Sequence, residues 1–379
     1  MPADDNEFSV QTPAEFMTVP PARDFDESGH FAARGVFTVA FQVDNVLGNG
    51  PTYRSFTNLF AESELRGYIA VTNHFTLNGL AKLEQARDQI QGGAFVDQSL
   101  YIQRLFGVIN LAPFHLYGGK IHPRFGIGWF RTPGLYGTDF AEEYELIERL
   151  GFGLRIDARG EFGSHRLTVE AFQADTSFLN GNAFANSAQL GDPGVKRQGK
   201  RTLADGGVSN TGTFESFAVA VSSRWPGLRG LGTEVGFLKQ RASPLDARDE
   251  YAWTASAFWR LPLRGDLSIE PLAEFTSVAG QACTDRNVDY VTLAANLRIG
   301  ELWAVALHTS QKYVRDHAAN DFRTDWLVGF AVALDLGDAF KDELPWLAGL
   351  TAVAGWRYDR NAGVERDTLG FLLKYEKSF

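Results

Sequence analysis

Hydrophobicity in this chain repeats at every second residue, not at every third or fourth. From Tyr251 to Arg260, one face carries Tyr251, Trp253, Ala255, Ala257 and Trp259; the other carries Ala252, Thr254, Ser256, Phe258 and Arg260. From Trp326 to Asp335, Trp326, Val328, Phe330, Val332 and Leu334 oppose Leu327, Gly329, Ala331, Ala333 and Asp335. A period of two marks an extended strand whose faces meet different surroundings. The pattern predicts sixteen strands: 34–45, 57–71, 75–87, 97–111, 114–121, 150–159, 166–175, 213–225, 230–241, 250–262, 266–277, 287–299, 302–314, 323–336, 348–359 and 366–379. No run of about 18 apolar residues is present, so no transmembrane helix is expected.

The second face decides between architectures. It is small or charged, with Lys82, Arg155, Arg224, Arg260, Arg298, Arg357 and Lys374 on it. A charged group buried without a partner costs several kcal/mol, so this face needs water. A β-sandwich with a solvated outer face would supply it, and so would a closed barrel with lipid outside and water inside. Connection lengths favour the barrel. Short turns near 72–74, 112–113, 160–164, 226–229, 263–265 and 299–301 alternate with long Gly-, Asn- and Asp-rich loops. Tight ends on one side and elaborated ends on the other are a barrel trait. The connection 338–347 breaks the rule, being long where a short turn is due. Trp and Tyr gather at the ends of the apolar face, at Tyr251, Trp259, Trp303, Tyr313, Trp326, Trp356, Tyr358 and Tyr375, where amphipathic rings suit the headgroup level. An even strand number closes the sheet, removes its edges, and at sixteen leaves an aqueous interior. The fold expected is all-β, a transmembrane antiparallel barrel over 34–379. An irregular arm, 1–33, precedes it and lies in the periplasm or at the barrel mouth.

Composition narrows the partners. Net charge is −10, which argues against nucleic acid. Cys283 is the only cysteine, so no internal disulfide forms. Residues 1–10 lack a basic start and an apolar core, so the chain reads as a mature form whose export signal has been removed. The seven histidines are scattered without metal-ligand spacing, and no twelve-residue calcium loop is present, so neither metal nor cofactor is expected. His308 has Ser310 two residues on, but no third group completes a hydrolase site.

The informative loop is 122–148, rich in aromatics, Gly and Pro, then acidic. Gly126, Gly128, Gly134 and Gly137 permit tight bends; Phe125, Trp129, Phe130, Tyr136 and Phe140 could pack it on a wall. The alternative is a surface loop with a short helix over 142–148.

The stretch Gly118-Gly119-Lys120-Ile121-His122-Pro123-Arg124-Phe125-Gly126 resembles the Gly-Lys/Gln-x-x-x-Pro-Phe-Gly region of the phosphate-selective porin group. The strand pattern over 34–379 is similar to Gram-negative porins generally. Phe379 ends the last strand as such barrels end, although Lys377 stands where an apolar residue is usual. Of the lysine cluster and arginine ladder of the phosphate-selective group, only Lys120 and scattered wall arginines match. The many inner carboxylates depart from it: Glu62, Glu64, Glu84, Asp157, Glu234, Glu270 and Glu274.

The resemblance implies a water-filled channel in the bacterial outer membrane for passive diffusion of ions and small hydrophilic solutes, not an enzyme. A substrate-selective channel for anions or carbohydrates, and a structural or assembly barrel, are the alternatives. It also implies a homotrimer, lipid and lipopolysaccharide around the wall, and the barrel assembly machinery as reader of the terminal strand. In sixteen-stranded porins the loop at this place folds inward. Arg124, Arg131, Asp139, Glu142, Glu143 and Glu145 are therefore the expected constriction. Lys82, Lys120, Arg155, Arg260, Arg298, Arg357 and Lys374 are the expected pore wall. Loop acid opposing wall base predicts a modest cation preference.

Overall fold

The computed structural model describes residues 32–48, 55–86, 92–183, 202–225, 227–228 and 230–379. They form one sheet of eighteen strand segments. Two segments have only two residues. Leu261–Pro262 prolongs the preceding strand past Arg260, and Gly93–Ala94 lies parallel to Asn58–Leu59. Sixteen spanning strands remain. They are β1 (Ala32–Gly48), β2 (Phe56–Ala70), β3 (Phe75–Gln85), β4 (Gln98–Leu111), β5 (Phe114–Ile121), β6 (Arg149–Gly160), β7 (Gly163–Ala174) and β8 (Ser216–Arg224). The second half comprises β9 (Leu231–Gln240), β10 (Glu250–Trp259), β11 (Leu267–Ala279), β12 (Arg286–Ile299), β13 (Trp303–Asp316), β14 (Asp321–Asp335), β15 (Leu350–Asn361) and β16 (Val364–Ser378).

Each spanning strand pairs antiparallel with its neighbours in sequence, and β1 pairs with β16 from Val36↔Ser378 to Gly48↔Arg366. The sheet is therefore a closed sixteen-stranded barrel. Every predicted strand is present, with ends shifted by a few residues. The barrel starts at Ala32, so the last two residues of the expected arm belong to β1; residues 1–31 lie outside the described residues.

The two faces separate as the period of two requires. Phe37, Phe41, Leu65, Phe152, Leu307, Phe330 and Phe371 are exposed on the outside. Their sequence neighbours Thr38, Gln42, Arg66, Ala306, His308 and Ala331 are buried inside. One irregularity redirects a side chain. Leu80 faces Arg104 and Ala81 faces Ile102, so Gln103 is an extra residue in β4. This bulge turns both Gln103 and Arg104 inward, where both are buried.

The long connection at the short-turn end is built, not loose. A helical turn, Leu336–Ala339, starts where the Asp335 carboxylate accepts the Asp338 N–H at 3.0 Å. A 3₁₀ turn, Pro345–Leu347, precedes β15.

Candidate functional site

Residues 122–148 leave the top of β5, run through the barrel interior and return to β6. The apolar residues explain the course: Phe125, Ile127, Trp129, Phe130, Phe140, Tyr144 and Leu146 are buried with inward residues Phe172, Leu238, Leu272, Val288 and Leu327. A barrel interior is otherwise polar, so this greasy strip is the part of the wall that the loop covers. The alternative surface loop does not form. Its only regular turns are Gly128–Arg131 and the 3₁₀ turn Ala141–Glu143.

Wall carboxylates hold the outgoing limb. Arg124 donates its backbone N–H to Glu170 of β7 at 2.5 Å, and its guanidinium to Glu234 of β9 at 2.6 and 2.8 Å. The two oxygens of Glu274, on β11, accept the N–H groups of Ile127 at 2.6 Å and Gly128 at 3.0 Å. Tyr144 donates its hydroxyl to the same carboxylate at 2.5 Å. Burial first, and the Glu274 charge second, push the Tyr144 phenol well above its usual pKa, so it stays a donor. A Cβ at residue 128 would sit 2.5 Å from Glu274 Oε1 and 2.8 Å from the Tyr144 hydroxyl, so a larger residue would push both off their hydrogen bonds. Arg131 donates to Glu270 at 2.9 Å and stacks 3.6 Å above the Phe258 ring.

The far limb is held by the opposite half of the barrel. Tyr136 donates to Asp44 of β1 at 2.7 Å. Arg357 of β15 pairs with Asp139 and lies 4.5 Å over the Tyr136 ring. Lys312 of β13 meets Glu143 at 2.7 Å, and Tyr290 donates to Glu143 at 2.8 Å. Glu142 is exposed and accepts from Thr138 at 2.9 Å; Glu145 is half-buried. Two of the four loop carboxylates, Asp139 and Glu143, therefore face cations.

Most of the expected wall cations lie on the inner face, each beside a carboxylate. Lys82 meets Glu84 at 2.6 Å, Arg155 meets Asp157 at 3.1 Å, Arg260 meets Glu270 at 3.2 Å and Lys374 meets Glu376 at 3.3 Å. Arg357 also meets Asp359 at 3.5 Å, and Arg298 is half-buried on the inward side of β12. Lys120 is a correction. It shares a parity with the exposed Phe114 and Leu116, on the outer side of β5. Its side chain is fully buried between Glu148 (2.7 Å), Asp175 (3.0 Å) and the Leu179 carbonyl (3.1 Å). It locks the two ends of the loop to the connection after β7 and touches no lumen.

Sequence reading missed three groups. Lys312 and Glu170 follow the parity of their strands and could have been found from it. Arg104 could not, because the bulge at Gln103 shifts its parity. His122, at the neck of the loop, hydrogen-bonds the Gln103 carbonyl; burial first and Arg104 second hold its pKa well below the usual value, so it is neutral near pH 7. Ser310 pairs with Thr292 at 3.0 Å and not with His308. Among the described residues no cluster of His, Cys, Asp and Glu could hold a metal ion.

No protein-family model matches the chain, and no curated protein does. Solved structures do. The outer membrane channel DcaP of Acinetobacter baumannii superposes with a TM-score of 0.58 at 10% identity, over 93% of this chain and 99% of that one. A BenF-like porin from Pseudomonas fluorescens gives 0.53 at 11% identity, over 92% and 99%. The trimer form of OmpT, an outer membrane protein of Vibrio cholerae, gives 0.52 at 9% identity, over 92% and 99%. At these identities the likeness is one of fold.

Proposed function

We propose that this chain is an outer-membrane porin, a water-filled channel for passive diffusion of ions and small hydrophilic solutes, with loop 122–148 as its constriction. The observation that carries the reading is a closed sixteen-stranded barrel crossed by a loop stitched to both halves of its inner wall. A barrel of this size is wide enough for an aqueous passage, and a fixed loop narrows it without sealing it. The covered strip of wall is on β7–β14. The passage runs past β2 and β3, where Glu64, Lys82 and Glu84 keep part of their surface exposed. The fold likeness to a channel and a porin supports the same function. Likeness to a trimeric outer membrane protein supports a homotrimer. Lipid and lipopolysaccharide around the wall, and recognition of the terminal strand by assembly machinery, complete the proposal. Membership of the phosphate-selective group rests on the short motif around Lys120, whose lysine faces away from the lumen.

The modest cation preference expected from the loop acids needs those acids free. Asp139 and Glu143 are neutralised by Arg357 and Lys312, so we read the constriction as close to charge-balanced.

Single-channel recording in planar bilayers tests the proposal. The intact chain should conduct, and deletion of residues 128–143 should raise conductance and enlarge the solute cut-off. A deletion that changes neither would remove the loop from the passage. A folded barrel that never conducts would remove the channel.

A further inference from the structure

Below the loop, towards the short-turn end, lies a cavity of about 310 Å³ walled by β4–β10. Seven arginines and three carboxylates line it, an excess of four positive charges. The three carboxylates are already engaged, Glu234 through Oε2 only, its Oε1 being buried without a partner. Asp157 pairs with Arg155 and Arg166, Glu234 with Arg124 and Ser222, and Glu170 with the Arg124 N–H and the Tyr117 hydroxyl. Several donors are not. Arg104 Nε, Arg131 Nε, and both Nε and Nη1 of Arg155 are buried without a hydrogen-bond partner. Arg104 is 5% exposed and Arg155 6%. Guanidinium N–H groups in so dry a place are costly unless an acceptor, best a charged one, meets them. The Gln103 bulge turns Arg104 into the chamber beside Arg66, and Glu64, the carboxylate whose field reaches it, is tied to Arg66; the Phe258 ring, between Arg131 at 3.6 Å and Arg224 at 4.6 Å, holds two more guanidinium planes at the chamber's edge.

We propose that this chamber is a binding site for a small divalent oxyanion, phosphate or a short dicarboxylate, held chiefly by Arg104 and Arg155. Both ligand types offer several anionic oxygens within a few ångströms, which matches forked donors converging from two strands. A divalent anion answers half of the excess charge, a monovalent carboxylate only a quarter, and a neutral solute none. The proposal rests on the channel reading only for the route by which the anion arrives.

Isothermal titration of the full chain in detergent at low salt tests it without a bilayer, using succinate, inorganic phosphate and acetate as probes. At least one divalent anion should bind once per chain, about tenfold or more tighter than acetate; which one does so tells the dicarboxylate source from the phosphate source. Arg104→Gln and Arg155→Gln should each weaken that binding about tenfold or more. Arg104→Lys, which keeps the charge and loses the fork, should fall between. Arg315→Gln should change nothing, since Arg315 pairs with Asp289 at the exposed outer end of β13. The site is overturned if neither divalent anion outbinds acetate, or if R315Q weakens binding as much as R155Q and R104K do. Loss of binding with conductance intact sinks the site alone; loss of conductance with binding intact sinks the channel alone.

Discussion

Phe330 stands on the outer face of β14, opposite Leu307 on one side and Trp356 on the other, and all three rings or branches point away from the lumen. At that position an arginine would put a charge into hydrocarbon. Phe330→Arg should cost about 2–4 kcal/mol near mid-membrane, read by reversible urea unfolding in lipid vesicles. A loss below about 0.5 kcal/mol would mean that this face does not meet lipid. Cys283 gives an independent check on the external connections. It is buried in the turn between β11 and β12, and burial first, with Glu250 and Asp246 behind it, pushes its thiol up to about 12. The thiolate is the reactive form, so a raised pKa means little of it near pH 8. A water-soluble maleimide should label the folded protein at least about tenfold more slowly than the unfolded chain. Equal rates would show this turn to be open.

Among the elements, the loop shows what could be read from the chain and what could not. Its residues announce an inward course: six aromatics and four glycines in one connection have no use on a solvated rim. Its moorings were legible only by class. Inner parity put Glu234, Glu270 and Glu274 on the lumen side, yet nothing in the sequence says that Glu274 receives Ile127 and Gly128, because those partners lie 146 and 147 residues away. Lys120 was misplaced because the loop-end motif was read by likeness while its strand parity pointed outward. Arg104 was missed because one extra residue reverses every side chain after it. The mooring makes its own prediction. Glu274→Leu strands two buried N–H groups and a phenol, each worth about 1–3 kcal/mol. That sum is large against the packing of one limb and small against a barrel. Hydrogen exchange at residues 125–131 should therefore accelerate by about tenfold or more, while β12–β16 keep their protection. Uniform acceleration would mean that Glu274 supports the barrel, not the loop.

At the scale of the whole molecule, the decisive event is closure of β1 on β16. A barrel left open would present unpaired backbone groups to lipid, which lipid cannot satisfy. The seam is completed at its very end. Gly35 donates its N–H to the Phe379 carbonyl at 3.0 Å, and Phe379 returns its own N–H to the Gly35 carbonyl at 3.0 Å. The ring of Phe379 then lies over Gly35 on the outside of the wall. A Cβ at residue 35 would come within 2.5 Å of the ring and 2.6 Å of the Arg66 carbonyl, so only glycine leaves room. Gly35→Val should overpack the seam and cost about 1–3 kcal/mol, lowering the temperature at which the folded band shifts on gels. Phe379→Ala should also lower it, by uncovering Gly35. The informative variant carries both changes. Removing the ring relieves part of the clash that valine creates, so the double variant should be less destabilised than the sum of the singles, with a coupling of about 0.5 kcal/mol or more. Strict additivity would mean that Phe379 does not seat on Gly35, and that the terminal aromatic serves the seam in some other way than by covering that gap.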